Sequence, residues 1–356
     1  MAVKNSIAAC ALPATQHKQI LLGHGSGGKL MHELIETVFR SLLPAPTQSL
    51  NDSAVFDLPA GQAGANGARL AITTDSFVVD PIFFPGGDIG KLAVHGTVND
   101  LAVSGARPLI LSAAFILEEG FSSADLGRIV ESMKQACDQA GVTIVTGDTK
   151  VVNRGKCDKV FINTTGIGIM ERPVEISADR ARPGDLVLMN GEIAAHGVGI
   201  MLAREELKFD RPIESDTAPL NFLIADMLEA SLKIHCMRDL TRGGLSSALN
   251  EIASASRVGF RIYEDRIPIQ DEVKGACEIL GLDPLHVANE GKLIAIVARE
   301  DAENILQAMR RNPMGQKSEI IGEVVEDHPR MVIMKTRVGG FRVVDMLTGE
   351  QLPRIC

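Results

Sequence analysis

The feature that most constrains this chain is an alternation of element types that occurs twice. Between about Leu50 and Glu171, β-type runs ("RLAITT", "PLILSAAFILEE", "VTIVTG", "KVFINTTGIGIM") are separated by helix-type stretches ("DIGKLAVHGTVNDLAVSG", "SSADLGRIVESMKQACDQAG"). Such interleaving predicts one α/β or α+β unit. The polar, proline-containing "RPVEISADRARPGD", near Arg172 to Asp185, then reads as a boundary. A second unit follows with similar ingredients: "DLVLMNG", a helix near Leu220 to Leu232, a glycine-rich helix start at Arg242, and strands "KLIAIVA", "SEIIGEVV" and "RMVIMKT". From Gly339 the periodicity fades into a strand remnant and a tail. The expected layout is an N-terminal segment 1–43, a domain 44–172, an α/β domain 173–338 and a mobile tail 339–356.

With 356 residues, 45% of them hydrophobic, the chain can bury cores in both units. A formal net charge of -9 without any basic block excludes nucleic acid as the expected partner. No stretch approaches the ~20 apolar residues needed to cross a bilayer, and the first residues lack the apolar core of a secretory signal. A cytoplasmic location without a membrane partner is expected. The six cysteines show no CxxC pair and no zinc-finger spacing, which argues against a disulfide framework or structural zinc. Cys137, Cys236 and Cys277 sit near apolar residues and read as structural thiols. Cys10 and Cys157 carry no signal, and Cys356, the last residue, has no obvious partner. His95, His196 and His286 lack ligand spacing and read as satisfied core or helix-end histidines.

"QILLGHGSGGKLMHELIETVF" reads as a short apolar strand or extended piece, a glycine-rich loop and a helix with Leu30, Leu34 and Val38 as its stripe. Gly23 to Lys29 satisfies G-x-x-x-x-G-K, yet Leu30 stands where a P-loop needs a hydroxyl for magnesium. The loop still offers backbone donors at Gly25, Ser26, Gly27 and Gly28 beside Lys29 and His24, which suits a polyphosphate. A merely flexible loop is the alternative.

Without a P-loop, magnesium must be held by carboxylates. Asp52 in "NDSAVFD", Asp75 after the run Ala71 to Thr74, Asp100 in an otherwise apolar helix and Asp239 in "MRDLTRGG" stand at structural junctions. Cap or turn duty explains any one of them; together they make a metal-binding set. A buried Asp100 is costly unless paired or metal-bound. Thr241 is a possible cap for the helix that follows, with Gly243 and Gly244 in its first turn.

The segments "LGHGSGGKLMHELI", "TTDSFVVDPIFFPGGDIGKLAVHGTVNDLAVSGA", "IVTGDTKVV", "RDLTRGGL", "ANEGKL" and the terminal "LPRIC" closely resemble the HypE family of hydrogenase maturation proteins, from about Leu22 to Cys356. Single segments are shared with the wider ATP-binding superfamily of aminoimidazole ribonucleotide synthetase and selenophosphate synthetase; the terminal "PRIC" is particular to HypE. The resemblance implies a two-domain α/β (α+β) fold of the aminoimidazole ribonucleotide synthetase type. It also implies a homodimer whose N-terminal domains pair into a β-barrel, with ATP and Mg2+ near that interface. ATP-site positions carry over to the loop residues Gly25, Ser26, Gly27, Gly28 and Lys29, and to Asp52, Asp75, Asn99, Asp100 and Asp148. The metal ligands carry over to Asp52, Asp75, Asp100 and Asp239. Where superfamily members often have two adjacent acids, this chain has Asn51-Asp52, so only Asp52 can be an anionic ligand.

By the same resemblance, a partner, HypF, loads a carbamoyl group onto the terminal cysteine. ATP then drives its dehydration to a thiocyanate, and the cyanide passes through a HypC–HypD complex to the nickel–iron hydrogenase. Cys356 would be a tethered carrier, Glu290 a base for the carbamoyl N–H and Lys150 a stabiliser of developing negative charge. Read without the family, Glu290 is a turn acid and Lys150 a surface lysine. From Leu347 to Cys356 the tail spans roughly 30 Å if extended, at about 3.3 Å per residue. Reach does not limit it, and an outward tail for loading and an inward tail for dehydration are expected, with Pro353 and Arg354 as guides. The alternatives are another synthetase of the superfamily or a non-catalytic nucleotide-dependent scaffold. Neither synthetase gives the terminal cysteine a task, and the acids argue against a scaffold.

Overall fold

The computed structural model describes residues 19–42, 50–59, 68–205, 212–349, 352 and 354–356; Cys10 and Pro353 lie outside them. The glycine-rich loop begins as a 3-10 turn, Leu22–Gly25, and leads into α1 (Lys29–Thr37). Of the strand or extended piece expected ahead of the loop, the extended form is found: Leu21 has φ -107° and ψ 159°, and no strand forms there. Ile20, Leu21 and Leu22 are exposed, and without a partner strand an apolar run has no ladder to join.

The first sheet contains β1 (Ala54–Leu58) and β2 (Ala68–Phe77). A small hairpin of β3 (Phe83–Phe84) and β4 (Gly87–Asp88) precedes α2 (Ile89–Val103). Then come β5 (Arg107–Glu118), α3 (Ser123–Ala140), β6 (Thr143–Val152) and β7 (Val160–Ile169). Strand order is β1-β2-β7-β5-β6, antiparallel except for the parallel pair β5 and β6. Strict in-out alternation along β7 shows that only one face is covered. That cover is α2, capped by the Asp88 carboxylate on Gly90 N–H (2.7 Å) and Lys91 N–H (3.1 Å).

Thirteen of the 15 residues of α2 are buried, as expected for a helix that is apolar all round. It packs on β2, β5 and β7, on α3, and on two elements of the second unit described next. That unit comprises β8 (Leu186–Met189), α4 (Ala195–Arg204), α5 (Asn221–Ala230), β9 (Ile234–Asp239), α6 (Gly244–Ser256) and β10 (Gly259–Tyr263). It continues with α7 (Asp271–Leu280), β11 (Leu293–Val297), α8 (Ala302–Arg311), β12 (Glu319–Val325), β13 (Val332–Lys335) and β14 (Phe341–Val343). Its seven strands are ordered β14-β13-β10-β12-β8-β11-β9, and β11, buried at every position, lies between β8 and β9. The partners of α2 here are α5 and β9. One helix therefore ties both sheets together, and Asp100 is one of its two residues not fully buried.

The end of the chain returns to the first unit. Ile355 is buried in the cluster that contains Phe77, Val79 and Leu92, with half-buried Cys356 packed against it. Burying one such side chain contributes about 2 kcal/mol. That suffices to hold a tail down, and it is small enough to be released.

Candidate functional site

Four elements deliver the acids. Asp52 precedes β1, Asp100 projects from α2 and Asp239 ends β9; one carboxylate oxygen from each lies within 4.8 Å of the others. Asp75 lies inside β2, two residues before its end, because the strand continues to Phe77 rather than stopping at Thr74. It lines the same pocket as the other three, with Thr73, Thr74, Gly96, Thr241, Arg242, Glu290 and Cys356. Thr73 Oγ1 is 2.8 Å from both the Asp52 carbonyl and Asp100 Oδ2 and so fixes their spacing. Arg238 forms a buried ion pair with Asp52 and reaches Glu251 at 3.1 Å.

Burial raises the carboxyl pKa of Asp52 and Asp75, against the pull of Arg238 and Arg242 respectively. Asp100 and Asp239 are lifted well above the ordinary range, by burial first and then by neighbouring carboxylates. An all-oxygen donor set whose members repel one another fits a hard divalent cation, which would remove the repulsion.

Glu290 is 3% exposed and its Oε1 has no hydrogen-bond partner. Burial raises its pKa well above the usual value, with Asp239, Asp216 and Asp75 adding to the effect. Its backbone N–H donates to Asp216 Oδ1 (3.0 Å), and Asp216 is paired with Lys292 at 3.3 Å. The tail brings Cys356 to this carboxyl. Val78 N–H donates to the backbone oxygen of Cys356 (2.9 Å), and Asp80 N–H to the Arg354 carbonyl (3.2 Å). Arg354 donates to Val78 O (3.1 Å) and pairs with Asp158, while Arg204 donates to Arg354 O (3.0 Å). Burial pushes the Cys356 thiol up strongly, opposed by the Arg242 guanidinium.

A second pocket adjoins this one. Gly25 and Ser26 line it with Arg242, Gly243, His286, Leu347 and Cys356. Gly27 and Gly28 support that wall: Gly27 O accepts from Ser247 Oγ (2.9 Å), and Gly28 precedes α1. Lys29, expected to face phosphate, has its Nζ on Asp345 at 2.5 Å. The cation that reaches both pockets is Arg242, which the sequence reading passed over in favour of the neighbouring glycines. Those glycines have φ of +77° and +59°, and a side chain on Gly244 would meet the Leu285 and Val287 carbonyls. Thr241 makes no cap; Gly243 occupies that position and α6 begins without a side-chain cap.

Three further candidate residues stand off the walls of these two pockets. The Asn99 amide donates to Ala218 O (3.1 Å) and Glu290 O (3.3 Å) and accepts from Leu220 N–H (2.8 Å), so it bridges the two units. Asp148 and Lys150 pair with each other at 2.7 Å on the edge strand β6. In register with Ala114 and Ile116 they face away from α2, whereas Asp75, opposite buried Thr164, faces toward it. The histidines are only partly as expected: His196 is bonded on both nitrogens, but His95 Nε2 and His286 Nδ1 are buried without partners. Cys137, Cys236 and Cys277 are buried free thiols. Among the described residues no helix is long and apolar enough to cross a membrane.

Residues 50–170 match the N-terminal domain of the AIR synthase related proteins, and residues 182–334 match their C-terminal domain. A carbamoyl dehydratase HypE of Azotobacter vinelandii is 55% identical over 334 residues, covering 94% of this chain and 96% of that protein. The crystal structure of a HypE–HypF complex superposes with a TM-score of 0.82 at 47% identity, covering 88% of this chain and 99% of that one. HypE in complex with ATP gives 0.79 at 48% identity, over 95% and 100% of the two chains. The chain therefore belongs to the HypE carbamoyl dehydratase family, within the AIR synthase related proteins.

Proposed function

We propose that the protein dehydrates a carbamoyl group carried on Cys356 to a thiocyanate at the expense of ATP, and so supplies cyanide for nickel–iron hydrogenase maturation. The observation that carries this reading is the last residue of the chain lying in one pocket with four aspartates, Arg242 and Glu290.

An amide oxygen is a poor leaving group, so S–C(=O)NH2 does not lose water unaided. Transfer of the ATP γ-phosphoryl group to that oxygen, with loss of one N–H proton, gives S–C(OPO3)=NH. Loss of the second N–H proton as phosphate departs closes C≡N, leaving ADP and phosphate. Glu290, whose Oε1 accepts no hydrogen bond and which lines the pocket with Cys356, is the group to take a carbamoyl proton once ionised. Arg242 supplies fixed positive charge near the sulfur and the glycine-rich loop, where phosphates would lie. Asp52, Asp100 and Asp239, with Asp75 beside them, would hold Mg2+, whose chemistry is to neutralise phosphate charge.

ATP binding is supported by the HypE–ATP complex and HypF as carbamoyl donor by the HypE–HypF complex. We further assign the HypC–HypD complex as cyanide acceptor, a cytoplasmic location, and the functional division 1–43, 44–172, 173–338 and a mobile tail 339–356, of which β14 is paired into the second sheet. A homodimer is supported by the open face of the first sheet, where Phe56, Ile72 and Ile116 are all exposed. Asp148 and Lys150 lie on that face, so they serve the site of a second copy. The test is mass spectrometry of the C-terminal peptide after incubation with HypF, carbamoyl phosphate and ATP. A carbamoyl mass gain on Cys356 followed by loss of water supports the reading; no gain on Cys356 overturns it.

A further inference from the structure

Residues 354–356 lie against residues 78–80, where the Val78 and Asp80 N–H groups donate to the backbone oxygens of Cys356 and Arg354. The Ile355 carbonyl between them is not bonded to residues 78–80 and needs a donor elsewhere. Ile355 is only 4% exposed, and a buried carbonyl without a donor would favour an undocked tail. The donor is His196, whose Nε2 lies 2.8 Å from that oxygen.

We propose that His196 is the positioning residue that seats the carrier tail, acting through the Ile355 carbonyl. The chain of hydrogen bonds behind it has a fixed direction. A carbonyl can only accept, so Nε2 bears the ring proton and Nδ1 is left as an acceptor. Ser215 Oγ, 2.7 Å from Nδ1, donates to it and in turn accepts from Thr217 N–H at 3.2 Å. Burial keeps the ring neutral, as this arrangement requires. Phe84 stands edge-on to the imidazole, centroids 5.7 Å apart, and limits its rotation. The same nitrogen also faces the chemistry: His196 Nε2 is 4.0 Å from Glu290 Oε1. One fully buried ring thus registers the carrier peptide against the carboxyl proposed as base.

This assignment deepens the reading of Cys356 as carrier and rests on it. The experiment compares wild type, His196→Leu, His196→Gln and Ser215→Ala, following alkylation of Cys356 by peptide-resolved mass spectrometry and dehydration of the carbamoylated tail. Loss of the donor in His196→Leu is expected to raise the alkylation rate about tenfold and to slow dehydration by a similar factor, while carbamoyl loading continues. Gln, whose amide nitrogen can reach the Nε2 position, restores both to within about threefold of wild type. Ser215→Ala, a half-buried position whose change leaves the core filled, gives an intermediate rise by releasing the ring's orientation. Unchanged alkylation in both His196→Leu and Ser215→Ala overturns the proposal, as does a Gln variant as exposed as Leu. Failure of wild-type Cys356 to accept a carbamoyl group overturns the carrier reading instead, since the alkylation comparison needs no carbamoyl group.

Discussion

Arg238 and Asp52 form a buried ion pair beside the acid cluster, and the same guanidinium holds Glu251 at 3.1 Å and donates to the Leu50 carbonyl at 2.7 Å. One cation therefore balances two carboxylates, a largely buried Asp52 and a half-buried Glu251. Arg238→Met leaves both without a counter-charge and is expected to cost about 3 kcal/mol in urea unfolding. Added Mg2+ should recover part of that loss, because it supplies positive charge at Asp52.

Asp100 gives the metal site a pH signature. Its folded-state pKa is raised by burial, then by Asp239, Asp52 and Asp75, so the folded protein holds that proton more tightly than the unfolded chain does. The stability it contributes is complete below the unfolded value, near 4, and is lost as pH rises through the folded value. Metal-free Asp100→Asn should therefore be more stable than wild type at neutral pH, with the difference shrinking toward pH 4. Thermal melts with and without Mg2+ check this, and the variant should also lose the Mg2+-induced rise in Tm.

The acids were legible in the sequence because each interrupts a local pattern: Asp100 an apolar helix, Asp239 the end of a strand, Asp75 a β-type run. The seat of the tail was not. His196 and Ile355 are 159 positions apart, and no periodicity links a helix start to a chain end. The pairing of Lys29 with Asp345 was illegible for the same reason, since the two are 316 residues apart. The role of α2 was half visible: its composition gave a buried helix, but only the second unit shows that Asn99 bonds to the backbone of Ala218, Leu220 and Glu290.

Glu290 exchanges stability for reactivity. A carboxyl with an unpartnered oxygen, lifted by burial and by three nearby carboxylates, is costly to keep ionised in the folded state. Glu290→Gln removes that cost, so the melting temperature at neutral pH should hold or rise. Dehydration of the carbamoylated tail should fall at least about a hundredfold, while ATP binding persists. A normal thiocyanate yield by mass spectrometry would remove Glu290 from the role of base.

Lys150 tests the second copy. Its ammonium is exposed, paired with Asp148, and on the sheet face opposite to Asp75, so within one chain it does not line the pocket around Cys356. If the open faces of two first sheets meet, Lys150 of one chain can serve the tail of the other. Lys150→Ala and Cys356→Ala should then each be inactive as pure proteins. Unfolded together and refolded as an equal mixture, half the dimers are mixed, and each has one intact site made of Cys356 from one chain and Lys150 from the other. About a quarter of wild-type activity should return. A site built within a single chain gives no recovery, because no chain in the mixture carries both residues. The two arrangements thus differ in whether activity reappears at all, which a C-terminal peptide mass measurement reads directly.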